Sequence, residues 1–197
     1  TELENGKMIE GEDVLANYQL VSKFGIKRIY LKPKATPNPK AIKAIMEADM
    51  VIVGPGNLYR SLVPNFLVPG IGAALAKSKA KKVYICNLMN KHGHTDDFTV
   101  SDYVNILEKI IGKKDVFNAV VYNTKKPPQA LLRKYSDEGA PVTYDPKRNA
   151  RNFKAVGAPL LLGGIVKRKK GDRVDHSLIR HDSDKLAKVL IKLAQSR

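Results

Sequence analysis

The sequence predicts an α/β fold with a mostly parallel sheet flanked by helices, and three observations predict it. Short apolar runs of strand length alternate with segments whose apolar residues recur at helical spacing. Two of those runs, "MVIV" (residues 50–53) and "VYIC" (residues 83–86), are apolar without a break, as in strands covered on both faces. The runs end in loops rich in Gly, Asn and Pro before the next helix begins. Repeated strand–helix alternation of this kind places the chain in the Rossmann-like class.

The elements follow in order. "IKRIYLKP" (26–33) reads as a strand closed by proline. "PNPKAIKAIMEAD" (37–49) reads as a helix, with prolines at its start and Ile42, Ile45 and Met46 on one face. "MVIV" has the composition of a central parallel strand. "VPNFLVPGIGAALAKS" (63–78) is an apolar helix that Pro69 should kink or restart, since proline has no backbone N–H to donate. "KKVYICN" (81–87) is the next strand. "TVSDYVNILEKIIG" (99–112) is a helix that Thr99 or Ser101 can cap and Gly112 can end. "NAVVYNT" (118–124) is a strand and "PPQALLRKYSDEG" (127–139) a helix. "APVTYDP" (140–146) and "AVGAPLLLGG" (155–164) are the last strand candidates, and residues 144–154 the longest loop. The chain closes with an amphipathic helix, 181–196, whose Leu186, Val189, Leu190 and Leu193 share one face.

The 197 residues suit a single α/β domain, and 43% apolar composition supplies a core. No apolar run approaches the roughly 20 residues of a membrane helix, so no membrane partner is expected. The one cysteine, Cys86, excludes an internal disulfide and fits a reducing, cytoplasmic compartment. Inside "VYIC" it reads as a buried thiol rather than a nucleophile. The net charge of +16 raises nucleic acid as a partner. The lysines are spread along the chain, however, with knots at 77–82, 125–126 and 167–170. No zinc-finger spacing, RNP-type stretch or GXXG loop accompanies them, so a basic solvated surface is the plainer reading.

Ligands of open parallel sheets sit beyond the carboxyl ends of the strands. Three loops fall there: "GPGNLYRS" after Val53, "NLMNKHGHTDD" after Cys86, and "NTKKPP" after Tyr122. Gly54 and Gly56 permit close backbone approach. A helix starting near Leu62 would present its N-terminus to an anion. Asn57, Ser61 and Asn65 supply hydrogen-bonding groups, and Tyr59 or Arg60 can stack on or pair with a ligand. An ordinary tight turn is the competing reading of Gly-Pro-Gly. His92, His94, Asp96 and Asp97 carry metal-ligand or acid–base chemistry in principle, but surface loops commonly hold such residues without an ion, and none is assigned as a metal site. In "IRHD" (179–182), Asp182 can cap the last helix and Arg180 can pair two phosphate oxygens at once. Ser-His-Asp order, a Walker motif, a CxxC pair and GxGxxG do not occur.

"ADMVIVGPGNLYRSLVPNFLVPGI" resembles the YvcK-like gluconeogenesis factor family, whose loop reads roughly GPGSLYTS followed by PNLLV. "KAKKVYICNLMNKHGHTDDFTVSDYV" is similar to its KVYVCN segment, "NGKMIEGEDVL" to its opening, and "IRHDSDKLAKVL" to its C-terminal end. The family is CofD-like and stands with the 2-phospho-L-lactate transferases. The resemblance implies a cytoplasmic protein that binds a nucleotide-sugar such as UDP-N-acetylglucosamine and is linked to carbon metabolism, cell shape and the cell wall. It implies no settled enzymatic activity; the transferase relatives bind a guanosine nucleotide, and only that reading calls for Mg²⁺. A homo-oligomer is compatible with either. By position, Gly54, Pro55, Gly56, Asn57, Leu58, Tyr59, Ser61 and Asn65 stand in the family loop, Pro64 follows it, Asn87 and Met89 stand in the second loop, and Arg180, His181 and Asp182 in the C-terminal element. Asn57 replaces the family's Ser, Arg60 its Thr, Asn90-Lys91-His92 its Thr-Gln-x and His94 its Glu. The family's GGGTG and DDGGSSG segments do not occur, so the chain is expected to be the C-terminal part of a longer protein.

Overall fold

Residues 1–31 stand apart from the main sheet. The strand expected over residues 26–33 is only β2 (Ile26–Arg28), and it pairs antiparallel with β1 (Glu2–Leu3) in a sheet of two. Its adjacent Lys27 and Arg28 are both exposed, which suits a surface ribbon rather than a buried parallel strand. With helix α1 (Tyr18–Phe24), the ribbon encloses a small core of Leu3, Ile9, Leu15 and Val21. This is a computed structural model, and it describes residues 1–11, 15, 18–134, 139–148, 152–163 and 179–196.

Four later runs build one parallel sheet in the order of the chain: β3 (Met50–Val53), β4 (Lys81–Ile85), β5 (Ala119–Asn123) and β6 (Lys154–Ala158). This confirms the Rossmann-like class. The connections are helices, because parallel neighbours cannot be joined by a tight turn. Helix α2 (Pro39–Glu47) precedes β3; its Pro39 sits at the first turn, and Asn38 Oδ1 accepts from Lys40 N at 2.9 Å.

The apolar helix over 63–78 restarts at Pro69, as expected, and a π-helical turn precedes it. A π-helical turn (Leu58–Leu62) runs into α3 (Val63–Leu67), and α4 (Ile71–Lys77) starts afresh. Pro69 leaves the break, and Gly70 makes the corner with φ 84°. Helix α5 (Val100–Ile111) keeps its expected bounds; the Asp102 carboxylate reaches back to the Thr99 N–H at 2.8 Å and hydroxyl at 2.6 Å, and Gly112 ends it with φ 81°. Ser101 is buried and Thr99 is the cap residue. Helix α6 (Gln129–Lys134) is shorter than expected as far as it is described, since residues 135–138 lie outside the described residues. "APVTYDP" forms no named strand. It makes bridges at Pro141 and Thr143 instead. Helix α7 (Ser183–Gln195) follows the Asp182 cap.

Alternation along the strands sorts the two faces. Val53, Tyr84, Cys86 and Val120 pack with α3–α5 residues Val63, Leu75, Tyr103, Val104 and Leu107. Val83, Ala119 and Val121 pack against Leu193, with Leu186, Val189 and Leu190 of α7 beside them. Each fully buried aliphatic side chain here contributes about 1.5–3 kcal/mol relative to exposure. The α7 cover stops short of the β3 edge: Ile52, in register with Val83, is 42% exposed.

Candidate functional site

Three loops meet at the carboxyl end of the sheet, and local hydrogen bonds explain how. After β3, Asn57 Oδ1 accepts from Arg60 N at 3.0 Å and starts the π-helical turn. A Cβ on Gly56 would come within 3.2 Å of Ser61 Cβ, so the loop folds tightly onto the turn. Gly54 has open space around it. Asn65 Nδ2 donates to Ser61 O at 2.6 Å. Pro55 and Ser61 are exposed, whereas Leu58 is buried in the core.

The loop after β4 is tied to the first. Asn87 Nδ2 donates to Gly56 O at 2.8 Å, which joins two predicted site residues across adjacent strand ends. Beyond it, the Tyr103 hydroxyl lies 3.0 Å from both Asn90 Oδ1 and Thr95 Oγ1, Thr95 Oγ1 accepts from Lys91 N, and Asn90 Nδ2 donates to Phe98 O. This buried network holds residues 90–98 in one shape. Residues 139–142 lie alongside, through Asn90 N to Ala140 O and Val142 N to Leu88 O. Gly139, at φ 149°, passes so close that a Cβ there would fall 2.2 Å from Asn90 O.

The two loop histidines differ. His92 Nδ1 sits 2.8 Å from Asp96 Oδ1, while Asp96 Oδ2 accepts from Gly93 N. His94 is buried, with its ring 6.4 Å from that of Tyr59, and neither ring nitrogen has a hydrogen-bond partner among the described residues. Burial pulls the His94 pKa below its ordinary value. Among the described residues, no three His, Cys, Asp or Glu side chains converge as a metal would require.

The C-terminal element reaches the same end of the sheet. Leu162 N donates to Arg180 O at 3.0 Å and Asp182 N to Leu160 O at 2.7 Å, which lays residues 180–182 against 160–162 beyond β6. His181 contacts the Cys86 backbone, and burial lowers its pKa. Its Nε2 is buried without a partner among the described residues. Asp182 caps α7 through Lys185 N at 3.1 Å and pairs with Lys185 Nζ at 2.8 Å, which holds its carboxyl below the usual range. Burial pushes the Cys86 thiol up to about 12, so it is no nucleophile.

The fold thus brings Gly54, Gly56, Asn87 and His181 to one end of the sheet. Tyr59 points elsewhere: it packs against both the main core and the N-terminal cluster, and burial raises its hydroxyl pKa. Met89 packs beside Leu88, Leu131, Leu161 and Ile179. A cavity of about 520 Å³ runs along the open edge of β3, lined chiefly by Val51, Val53, Leu62, Phe66 and Leu75; of the predicted site residues, Gly54 and Asn65 reach it. Asn123 opens the third expected loop, "NTKKPP", with no role of its own assigned from the sequence. Its Oδ1 accepts from Leu160 N at 3.0 Å and so fixes the segment that carries His181. The available signal was an Asn after an apolar strand, the same pattern that drew notice to Asn87. Residues 164–178, including the basic knot at 167–170, lie outside the described residues.

Comparison with known proteins agrees with this architecture. The chain is 38% identical over 194 residues to a gluconeogenesis factor of Bacillus subtilis, covering 98% of this chain and 56% of that protein. It is 30% identical over 197 residues to the gluconeogenesis factor of Listeria innocua, again covering 56% of that protein. The chain therefore spans little more than half the length of these relatives. The crystal structure of protein BH3568 from Bacillus halodurans superposes with a TM-score of 0.81 at 30% identity, covering 96% of this chain and 57% of that one. No helix among the described residues is long and apolar enough to cross a membrane. The family described as 2-phospho-L-lactate transferase CofD matches residues 1–161, and the chain belongs to that CofD family.

Proposed function

We propose that this chain carries the carboxyl-end loops of a cytoplasmic regulatory protein that binds a nucleotide-sugar of the UDP-N-acetylglucosamine type and acts in carbon metabolism and cell-wall upkeep. The observation that supports it is the Asn87–Gly56 hydrogen bond. It ties the loops of two adjacent parallel strands at the end of the sheet where such folds bind nucleotides. The gluconeogenesis factors among its relatives carry the link to carbon metabolism. Arg180 is the proposed phosphate contact, since the strand-like pairing of residues 160–162 with 180–182 brings it to that end.

A second reading is a transferase of the 2-phospho-L-lactate type that binds a guanosine nucleotide with Mg²⁺. The family description of the matching model favours it. Nucleic acid binding draws less support, because Lys81, Lys82 and Lys113 are engaged with helix carbonyls rather than displayed for phosphates.

Calorimetric titration of the protein, at the full length of its relatives, with UDP-N-acetylglucosamine and GDP in parallel tests the choice. Binding of the UDP-sugar alone is expected, with Arg180→Ala weakening it about tenfold through loss of a charge-assisted pair. Binding of GDP alone, with Mg²⁺, would select the transferase; binding of neither would remove both readings.

A further inference from the structure

A second cavity lies away from the strand-end loops. It occupies about 600 Å³ between the segment that continues β2 and the helices α3 and α5. Its floor is aliphatic: Ile29, Val63, Leu67, Ile106 and Ile110. Its rim is cationic, with Arg28, Lys34 and Lys109, and no Asp or Glu lines it. Lys27, also at the rim, is already paired with Glu2 at 2.7 Å. Arg28 lies over the Tyr30 ring at 5.7 Å. Lys34 and Lys109 have no acidic partner among the described residues, and both are exposed.

We propose that this cavity binds a small amphipathic anion: an aliphatic body of medium length that ends in a carboxylate. The volume is in the range of small-molecule sites. Hydrocarbon laid on the floor leaves water, and the single-signed rim focuses positive potential at the mouth. A neutral amphiphile would use the floor alone, and a cationic one would face Arg28, Lys34 and Lys109. Apolar floor and cationic rim together select an anion with an apolar tail. Of the loop after β3, only Tyr59, which packs toward the N-terminal cluster and away from the strand-end site, lines this cavity.

Decanoate is the probe, with decanol and decyltrimethylammonium as matched controls, titrated into the full-length protein below their micellar concentrations. Methyl resonances are read by NMR. Saturable 1:1 binding of decanoate is expected, with shifts at the Ile29, Ile106 and Ile110 methyls and binding of both controls about tenfold weaker or less. Lys34→Glu with Lys109→Glu should weaken decanoate about tenfold. Lys77→Glu with Lys79→Glu, an equal change in net charge at exposed positions elsewhere, should leave it unchanged. Equal binding of decyltrimethylammonium, undiminished binding by the Lys34/Lys109 variant, or shifts confined to the β3-edge cavity would each overturn the assignment. The shift map of the unmodified protein decides the location even if the double variant fails to fold.

Discussion

The two ends of the parallel sheet are built from opposite chemistry. At the amino end, lysines meet carbonyls: Lys82 Nζ donates to Ser78 O at 2.7 Å, Lys113 Nζ to Ala76 O at 3.0 Å, and Lys81 Nζ to Leu193 O at 2.7 Å and to Ser196 O. At the carboxyl end, asparagine side chains meet backbone: Asn87 donates to Gly56 O and Asn90 to Phe98 O, and Asn123 accepts from Leu160 N. The difference follows from topology. Helices that connect parallel strands run against them, so their C-termini gather at the amino end of the sheet and their N-termini at the other. Cations complement the negative helix ends at one end, and neutral amides brace the loops at the other. Part of the +16 charge is therefore internal counter-charge.

The comparison breaks most readily at Gly139. A methyl group there meets the Asn90 carbonyl at a φ that side chains rarely adopt. Gly139→Ala should cost about 3 kcal/mol, from overpacking and backbone strain together. An unchanged denaturation midpoint would show that residues 139–142 do not brace the Asn90 loop.

A smaller effect separates the ends by pH. His94 and His181, both at the carboxyl end, have folded-state pKa values lowered by burial from the ordinary 6.5. Below that value the unfolded chain takes up protons that the folded state resists, so stability should fall as pH drops through about 6.5. Melting temperatures across that range should decline for the native protein and flatten in a His94→Leu, His181→Leu variant; an identical decline in both would assign the effect elsewhere.

The smallest effect belongs to the amino end. Lys81→Met should cost about 0.3–1 kcal/mol, the size of a charge at a helix C-terminus, and added salt should shrink it. A loss greater than that of Gly139→Ala, measured by urea denaturation, would invert the ranking of the two ends.

Much of this was legible before any coordinates. The uninterrupted "MVIV" and "VYIC" runs read as parallel strands and are β3 and β4. "TVSDYVNILEKIIG" carries its cap, its apolar stripe and its closing glycine within one turn of each boundary, so α5 needed no context. "IKRIYLKP" misled, because a short run of mixed apolar and basic residues does not say which sheet it joins. Residues 63–78 restart at Pro69 as expected. The π-helical turn before them, Leu58–Leu62, was not legible, because it depends on Asn57 capping Arg60 and on Gly56 folding against Ser61. The candidate site was half legible: Gly56 and Asn87 belong together, while the apolar packing of Tyr59 and Met89 follows from neighbours far away in sequence.

The sequence by itself determined the period of β3, β4, α5 and α7, the caps that start the two helices, and the family to which the loop "GPGNLYRS" points, because these depend on residues within a few positions of one another. Tertiary structure alone decided that Asn87 donates to Gly56, that His181 lies against the Cys86 backbone, that Lys81 closes a helix more than a hundred residues away, and that cations and aliphatic side chains enclose a cavity beside β2. Those contacts join parts of the chain that only the parallel register of the strands brings within hydrogen-bonding distance, and no local pattern encodes that register.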